Sequence, residues 1–510
     1  MEKGEVNKME IDFQDKDIIS ITDFTKEEIL YLCQQAQRMY DLEKNGKRYD
    51  SSHQLTNRAL ASMFYEPSTR TRTSFNTAIR ELGGQRDGFV GTEGTSVTKK
   101  ETIRDTIKMM EANHFDVIAM RHPLDGSLQW AADVADIPVI NGGDGTNEHP
   151  TQALLDIFTL YMYNDGRLNG LNMGLGGDLA YGRTIRSLSL ALSHFDDITI
   201  RWSADDFLAM PTDLTSLLES RGINVIREQT VKDVMRQSEF YYMTRPQLER
   251  MEGVTQEDVI RFMGDARIDL SKVDGLDVKV MHPLPVNSEI AEIDYRVFFS
   301  SVQGFFPQAE NGVLMRKALL YEMLKYEGYT TFSGSLSSAL EHGNNRLQRT
   351  GKERVNGVLY IDKISDGVVI DHLVEGVGKQ IADELGLEKR RYDSVIASLS
   401  EHQKTFLKTN LPELTNRELK RIALMSPEAT INIIREGEVS EKFVYLLCQN
   451  DNCVTRVVNE DIPLKFYDDG TMRCRYCRQP YEIQTPKVSE QELATFRGSL
   501  PKSIEPIHQH

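Results

Sequence analysis

Ser68-Thr69-Arg70-Thr71-Arg72 places three hydroxyls and two guanidiniums within five consecutive residues. That set suits a tetrahedral oxyanion, gripped by short donors and charge-assisted hydrogen bonds. The setting points the same way. The apolar run 59–65 reads as a buried parallel strand, and Glu66-Pro67 turns the chain. Ser68 then stands at the N-cap of an amphipathic helix that runs through Phe75, Ile79 and Leu82 to Gly83-Gly84. A helix start offers unpaired N–H groups and the positive end of a dipole. The structural alternative, a capped helix with solvated arginines, needs one hydroxyl and no arginine. The expected ligand is therefore phosphate or a phosphorylated substrate.

Other polar residues follow apolar runs in a repeated way. Arg121 and His122 follow a strand at 117–120, and a strand at 138–140 leads to His149-Pro150-Thr151-Gln152 at a helix start. A second α/β unit begins near 165. Its Gly-rich strand 173–178 leads to Tyr181-Gly182-Arg183, and its strands 198–202 and 240–243 precede Thr244-Arg245-Pro246-Gln247. A strand at 278–281 precedes His282-Pro283-Leu284-Pro285, and a helix at 312–325 closes the region. Ligands of open α/β sheets bind at the carboxyl ends of strands, so the expected fold is two doubly wound parallel-sheet domains. The glycines at 174, 176 and 177 could be read as a dinucleotide fingerprint. That pattern is incomplete, lacks the acidic residue at its usual offset, and has Arg183 where a cofactor helix starts.

At 510 residues the chain is too long for one ordinary core. Hydrophobic content of 40% and charged content of 27% are those of a soluble globular protein. A net charge of −17 argues against non-specific nucleic-acid binding. No apolar run approaches the ~20 residues that span a bilayer, and the acidic start is unlike a signal peptide. These features, with five cysteines, imply no membrane partner and a reducing, cytoplasmic location. Thr25 and Glu28 form a capping box for a helix at 26–39, with Cys33 on its apolar face.

Residues 331–356 are rich in Ser, Gly, Asn and charge and read as a linker. A small α/β region follows, with helices at 374–385 and 415–425. Cys448 and Cys453, then Cys474 and Cys477, form two short knuckles able to meet as a tetrahedral four-thiolate site in a β-rich unit. Four thiolates leave no water position, so a structural Zn2+, one per chain, is expected. A redox Cys-x-x-Cys would not need Cys448 and Cys453.

Ser68-Thr69-Arg70-Thr71-Arg72, Met120-Arg121-His122-Pro123, His149-Pro150-Thr151-Gln152, Gly177-Asp178-Leu179-Ala180-Tyr181-Gly182-Arg183, Met243-Thr244-Arg245-Pro246-Gln247 and His282-Pro283-Leu284-Pro285 together resemble the aspartate carbamoyltransferases, over about residues 15–328. Residues 357–485 resemble the separate regulatory chain of the bacterial enzyme, through Gly367-Val368-Val369-Ile370-Asp371-His372 and the four cysteines. The resemblance implies a catalytic–regulatory fusion. Its expected divisions are a carbamoyl-phosphate domain at 1–164, with helix 312–328 packing back on it, and an aspartate domain at 165–311. The linker, a regulatory-like domain at 357–440, a zinc domain at 441–487 and a tail at 488–510 complete the chain.

The implied activity joins carbamoyl phosphate to the amine of L-aspartate, in pyrimidine biosynthesis, with no cofactor for catalysis. Ser68, Thr69, Arg70, Thr71 and Ser96 would hold phosphate, and Thr71, Arg121 and His149 would polarise the carbamoyl oxygen. Gln152 and the backbone at Pro283 and Leu284 would take the carbamoyl NH2. Arg183, Arg245, Gln247 and Lys99 would bind aspartate. Asp371 and His372 match part of a nucleotide site. In the family the loop carrying Lys99 serves a neighbouring subunit, which implies a catalytic trimer, or two trimers joined through the regulatory-like domains.

Several positions depart from the family pattern. The loop reads Ser96-Val97-Thr98-Lys99-Lys100-Glu101, with Lys100 where glycine is usual, so Lys99 has a rival and the loop's path is in question. Ala180 and Val286 replace the Lys and Arg usual there. After Asn410 the chain passes straight into the helix at 415–425, without the family's lysine-bearing strand, and Glu436, Glu438 and Glu441 crowd the phosphate side. Alternatives are an ornithine-type carbamoyltransferase, which Arg245 and Gln247 disfavour, and an inactive assembly homologue.

Overall fold

A computed structural model describes residues 11–47, 54–247, 251, 253–325, 346–348, 364–374, 376–388, 390, 392–399, 404–460, 462, 464–483 and 489–502. The chain divides into two compact units. The first holds residues 1–98, 107–123 and 135–332; the second holds 99–106, 124–134 and 333–510.

The first unit contains two parallel sheets. One has the order β2-β1-β3-β4, with β1 Ala59–Phe64, β2 Gln85–Val90, β3 Val117–His122 and β4 Val139–Asp144. The other has the order β7-β6-β5-β8-β9, with β5 Asn172–Gly177, β6 Thr199–Ser203, β7 Asn224–Arg227, β8 Phe240–Thr244 and β9 Lys279–Met281. The central strands β1, β3, β5 and β8 are almost wholly buried, as in parallel sheets with helices on both faces. The helix Lys26–Lys44 begins with the expected capping box, Thr25 accepting from Glu28 N–H and Glu28 accepting from Thr25 N–H. Cys33 is fully buried in the core.

The Gly-rich strand β5 makes room for a side chain rather than a dinucleotide. A Cβ on Gly176 would lie 1.7 Å from Tyr241 Oη, on the neighbouring strand β8. The closing helix, Phe305–Leu324, starts earlier than expected. Pro307 sits in its first turn, where a missing N–H breaks no helical bond.

The second unit holds a six-stranded antiparallel sheet, β10-β15-β14-β11-β13-β12, and a two-stranded ribbon, β16-β17. These strands are β10 Arg346–Gln348, β11 Gly367–Leu373, β12 Ser394–Leu399, β13 Lys404–Thr409, β14 Thr430–Arg435, β15 Glu438–Tyr445, β16 Phe466–Asp468 and β17 Met472–Cys474. Most of the expected linker lies outside the described residues, but three of its residues form β10, the sheet's edge. Position 440/441, the expected start of the cysteine region, falls inside β15. The hairpin β12–β13 was not foreseen. It places a strand with Lys404 and Lys408 just before Asn410.

Candidate active site

Strand ends and helix starts of the first unit enclose a cavity of about 720 Å3. Ser68, Thr69, Arg70, Thr71, Arg121, His149, Gln152, Arg183, Arg245, Gln247, His282, Pro283 and Leu284 all line it, as do Glu66, Gln308 and Arg316. The helix Thr69–Glu81 begins with Ser68 at its N-cap, yet Ser68 makes no side-chain capping bond. Its hydroxyl is not consumed by the helix, as a purely structural cap would require. His149 likewise stands at the N-cap of helix Pro150–Tyr163 without capping it.

His149 is buried. Its Nε2 lies 3.3 Å from Thr71 Oγ1 and its Nδ1 lies 3.4 Å from Thr151 Oγ1. Burial first, then the charges of Arg316, Arg183 and Arg121, hold its pKa well below the usual histidine range. The ring is therefore neutral at pH 7 and can donate a hydrogen bond to a carbonyl oxygen. Arg70 borders the cavity with its pKa pushed down by burial and by the like charge of Arg245. Two guanidiniums facing one space favour anions there.

Arg183 is not a surface arginine; only 6% of it is exposed. Its Nη1 donates to Gly145 O at 2.7 Å and its Nη2 to Glu66 Oε1 at 3.2 Å. Gly143, at φ 119°, clears its path: a Cβ there would lie 3.1 Å from the guanidinium carbon. Glu66 also accepts from Arg121 Nε at 3.0 Å and from Arg121 Nη2. One carboxylate thus bridges the ends of β1, β3 and the start of helix Arg183–Leu192. Sequence reasoning treated Glu66 only as a turn residue. The available signal was a carboxylate placed between a buried strand and an anion-binding helix start.

A second unforeseen residue is Asp156, fully buried behind the cavity. Burial holds its carboxyl up at about 7, against hydrogen bonds from Gln308, Tyr242 and Gln152 and the charge of Arg316. Its signal was the i, i+4 spacing from Gln152 on an otherwise apolar helix. At the end of β9, Leu284 has φ 56° and a cis bond to Pro285. Leu284 N–H donates to His282 Nδ1 at 2.8 Å.

Ser96 is exposed and is not among the residues that line the cavity. Lys99 ends the short helix Ser96–Lys99 and is exposed. Lys100 takes φ 71°, so a lysine here adopts the backbone that favours glycine.

In the second unit the four cysteines are buried, and their sulfurs lie within 4.8 Å of one another. Cys448 Sγ is 3.5 Å from Cys477 Sγ, and Cys453 Sγ is 3.9 Å from Cys474 Sγ. A tetrahedron with metal–sulfur arms of about 2.3 Å has edges of about 3.8 Å, so this group can hold a metal ion. The cysteine lobe is bonded to the 99–106 and 124–134 segments of its unit. Arg475, between Cys474 and Cys477, donates to Asp133 Oδ1 at 3.0 Å. Glu460 accepts from Ile103 N–H at 2.8 Å and from the Trp130 indole at 3.2 Å. In the antiparallel sheet, Asp371 Oδ1 is 3.1 Å from the buried His372 Nδ1. Lys420 donates to Val457 O and Arg421 pairs with Glu384.

Residues 16–162 match the family described as aspartate/ornithine carbamoyltransferase, carbamoyl-P binding domain, and residues 169–323 match its Asp/Orn binding domain. Residues 359–445 match the aspartate carbamoyltransferase regulatory chain, allosteric domain. The aspartate carbamoyltransferase catalytic subunit of Thermococcus kodakarensis is 39% identical over 312 residues, which is 61% of this chain and 97% of the relative. This chain belongs to the aspartate carbamoyltransferase family. The catalytic subunit from Bacteroides fragilis is 36% identical and is covered over 97% of its length, with 61% of this chain. Among solved structures of the family, the catalytic subunit from M. jannaschii has 35% identity and a TM-score of 0.56, covering 60% of this chain and 97% of that one. The Trypanosoma cruzi enzyme in complex with carbamoyl phosphate and aspartate has 33% identity and a TM-score of 0.57, covering 61% of this chain and 98% of that one. Among the described residues, no helix is long and apolar enough to cross a membrane.

Proposed function

We infer that the cleft transfers the carbamoyl group of carbamoyl phosphate to the amine of L-aspartate. The observation that carries this reading is one cavity in which Arg70, Arg121, Arg183, Arg245 and Arg316 converge around a hydroxyl-rich helix start and a neutral His149. A phosphate, a polarisable carbonyl and two carboxylates are what such a set can bind together.

The roles divide by chemistry. Ser68, Thr69, Arg70 and Thr71 hold the phosphate, with Ser96 of the loop. Arg121, His149 and Thr71 donate to the carbamoyl oxygen as charge grows on it. Gln152 and the carbonyls of Pro283 and Leu284 accept from the carbamoyl NH2. Arg183, Arg245, Gln247 and Lys99 orient aspartate, whose amine attacks the carbamoyl carbon. The C–O bond to phosphate then breaks, and the leaving phosphate takes the amine proton. The products are N-carbamoyl-L-aspartate and phosphate, a step that feeds pyrimidine synthesis in the cytoplasm.

The four cysteines hold one structural zinc ion per chain; the sulfur spacing and the all-thiolate shell support it. Chains assemble as catalytic trimers in which Lys99 serves a neighbour's site, and two trimers join through the regulatory-like domains. The domain divisions are those expected from the sequence, with β10 and β15 both counted in the regulatory-like sheet. Asp371 and His372 form a degenerate nucleotide site.

A ureido-product assay with aspartate and ornithine as rival acceptors tests the function. Product with aspartate alone is expected. Product with ornithine, or with neither, overturns the reading.

A further inference from the structure

Asp156 does not line the cavity, yet it touches two residues that do. Gln152 Nε2 donates to its Oδ1 at 2.9 Å, and Gln308 Nε2 donates to the same oxygen at 2.6 Å. Tyr242 O–H donates to Oδ2 at 2.8 Å. These partners come from helix Pro150–Tyr163, helix Phe305–Leu324 and strand β8. Asp156 and Tyr242 are 0% exposed, and Gln308 and His282 are 1% exposed.

All three bonds reach Asp156 as donations, so in this arrangement its oxygens act as acceptors and fix which way each amide points. With Nε2 of Gln152 turned to Asp156, Oε1 is the end left for the cavity. With Nε2 of Gln308 turned to Asp156, its Oε1 accepts from His282 N–H at 2.8 Å. His282 Nδ1 in turn accepts from Leu284 N–H at 2.8 Å. That acceptor role puts the ring proton on Nε2, which faces Glu292 Oε1 at 3.2 Å. One buried carboxylate therefore sets both the Gln152 amide and the backbone turn at Pro283-Leu284. Gln152, Pro283 and Leu284 all line the cavity.

We propose that Asp156 is the positioning residue for recognition of the substrate's NH2 group, holding Gln152 Oε1 and the Pro283-Leu284 carbonyls as acceptors. This rests on the carbamoyl-phosphate reading of the cleft. Selectivity for an amide over a methyl group at the acyl carbon then originates in a residue that touches neither.

Acetyl phosphate carries a methyl where carbamoyl phosphate carries NH2, so calorimetric titration of both ligands isolates the effect. D156N keeps the shape but can donate, which lets the Gln152 amide turn over. Its affinity for carbamoyl phosphate is expected to fall about tenfold, the scale of one misdirected buried hydrogen bond, with acetyl phosphate affinity kept. Adding Q152E restores an acceptor facing the cavity and is expected to recover much of the loss. If D156N does not fold, Q308M cuts one arm only and should give the same selective loss at smaller amplitude. Equal losses for both ligands, or no loss for carbamoyl phosphate, overturns the inference. A wild-type chain that binds neither acyl phosphate overturns the cleft reading itself.

Discussion

Glu66 Oε1 lies 3.2 Å from Arg183 Nη2 while also accepting from Arg121, so a single carboxylate links an arginine assigned to the carbamoyl group with one assigned to aspartate. Both guanidiniums are thereby aimed before any substrate arrives. The same carboxylate offsets positive charge in a cavity lined by five arginines. Glu66→Gln removes the charge and leaves one acceptor oxygen for three donors. It is expected to lower kcat/KM for aspartate about tenfold or more, the range for a lost charge-assisted bond, with thermal stability little changed. Steady-state kinetics at saturating carbamoyl phosphate check this; unchanged kinetics would mean the pairing is incidental.

The buried histidines set a pH limit. His149, His282 and His122 all have pKa values held below the usual 6.5 by burial, His122 at about 3. A histidine kept neutral when folded binds fewer protons than its unfolded form once pH drops below 6.5. Stability is therefore complete above about 6.5 and is lost as pH falls from there toward the folded values. Urea midpoints should drop between pH 7.5 and 5.5, and His149→Gln should show a smaller drop. An acid limb in kcat near 6.5 that vanishes in His149→Gln would contradict a neutral His149.

Much of this site could be read from the sequence because its residues sit at strand ends and helix starts, where local rules apply. The Thr25–Glu28 capping box and the Ser68 helix start follow from residue spacing alone. Glu66 and Asp156 were not foreseen, because their roles depend on partners 117 and 152 residues away in the chain. The hairpin β12–β13 escaped notice for another reason. Among the described side chains of β13, Thr405, Leu407 and Thr409 are buried, and two of these are threonines, so its apolar signal is weak. The helix expected at 312–325 in fact begins at Phe305, with Pro307 in its first turn, where a proline costs little.

Lys99 can be assigned by complementation. Arg70→Ala chains and Lys99→Ala chains should each be inactive. If Lys99 reaches a neighbour's site, random mixed trimers regain about a quarter of the wild-type sites, since each working site needs one intact residue from each of two chains. Activity after verified subunit exchange measures this. No recovery means that each site is built within one chain, or that Lys100 is the working residue.

The regulatory-like sheet is expected to respond weakly to nucleotides. A triphosphate needs several cations. Lys420 and Arg421 are already engaged by Val457 O and Glu384, and Glu438 and Glu441 lie on β15. Among the described residues, Lys404, Lys408, Arg417 and Lys442 are other cationic positions near this sheet; β13 pairs Lys408 with Val369, and β15 pairs Lys442 with Asn432. CTP titrated against initial rate at sub-saturating aspartate should change it less than twofold. A saturable micromolar effect lost in both His372→Ala and Lys408→Ala would show a working site on this sheet.

The metal prediction joins the cysteines to the loop before helix Ile103–Ala112. Four buried thiols this close need a cation to be stable as thiolates, and zinc coupled to them contributes directly to folding. Arg475 sits between two of the ligands and donates to Asp133, while Glu460 takes the first N–H of that helix and the Trp130 indole. Without metal the lobe loosens, and Asp133, Trp130 and the Ile103 N–H lose buried partners together. Elemental analysis should find one zinc per chain in the wild type and none in Cys474→Ser. Limited proteolysis of that variant should open new cuts both in 446–483 and in 99–106, while β1 and β5 stay protected. New cuts confined to the cysteine lobe would mean that Glu460 does not secure the helix start. A metal-free chain with an unchanged protease pattern would mean that the cysteine group holds its shape without an ion.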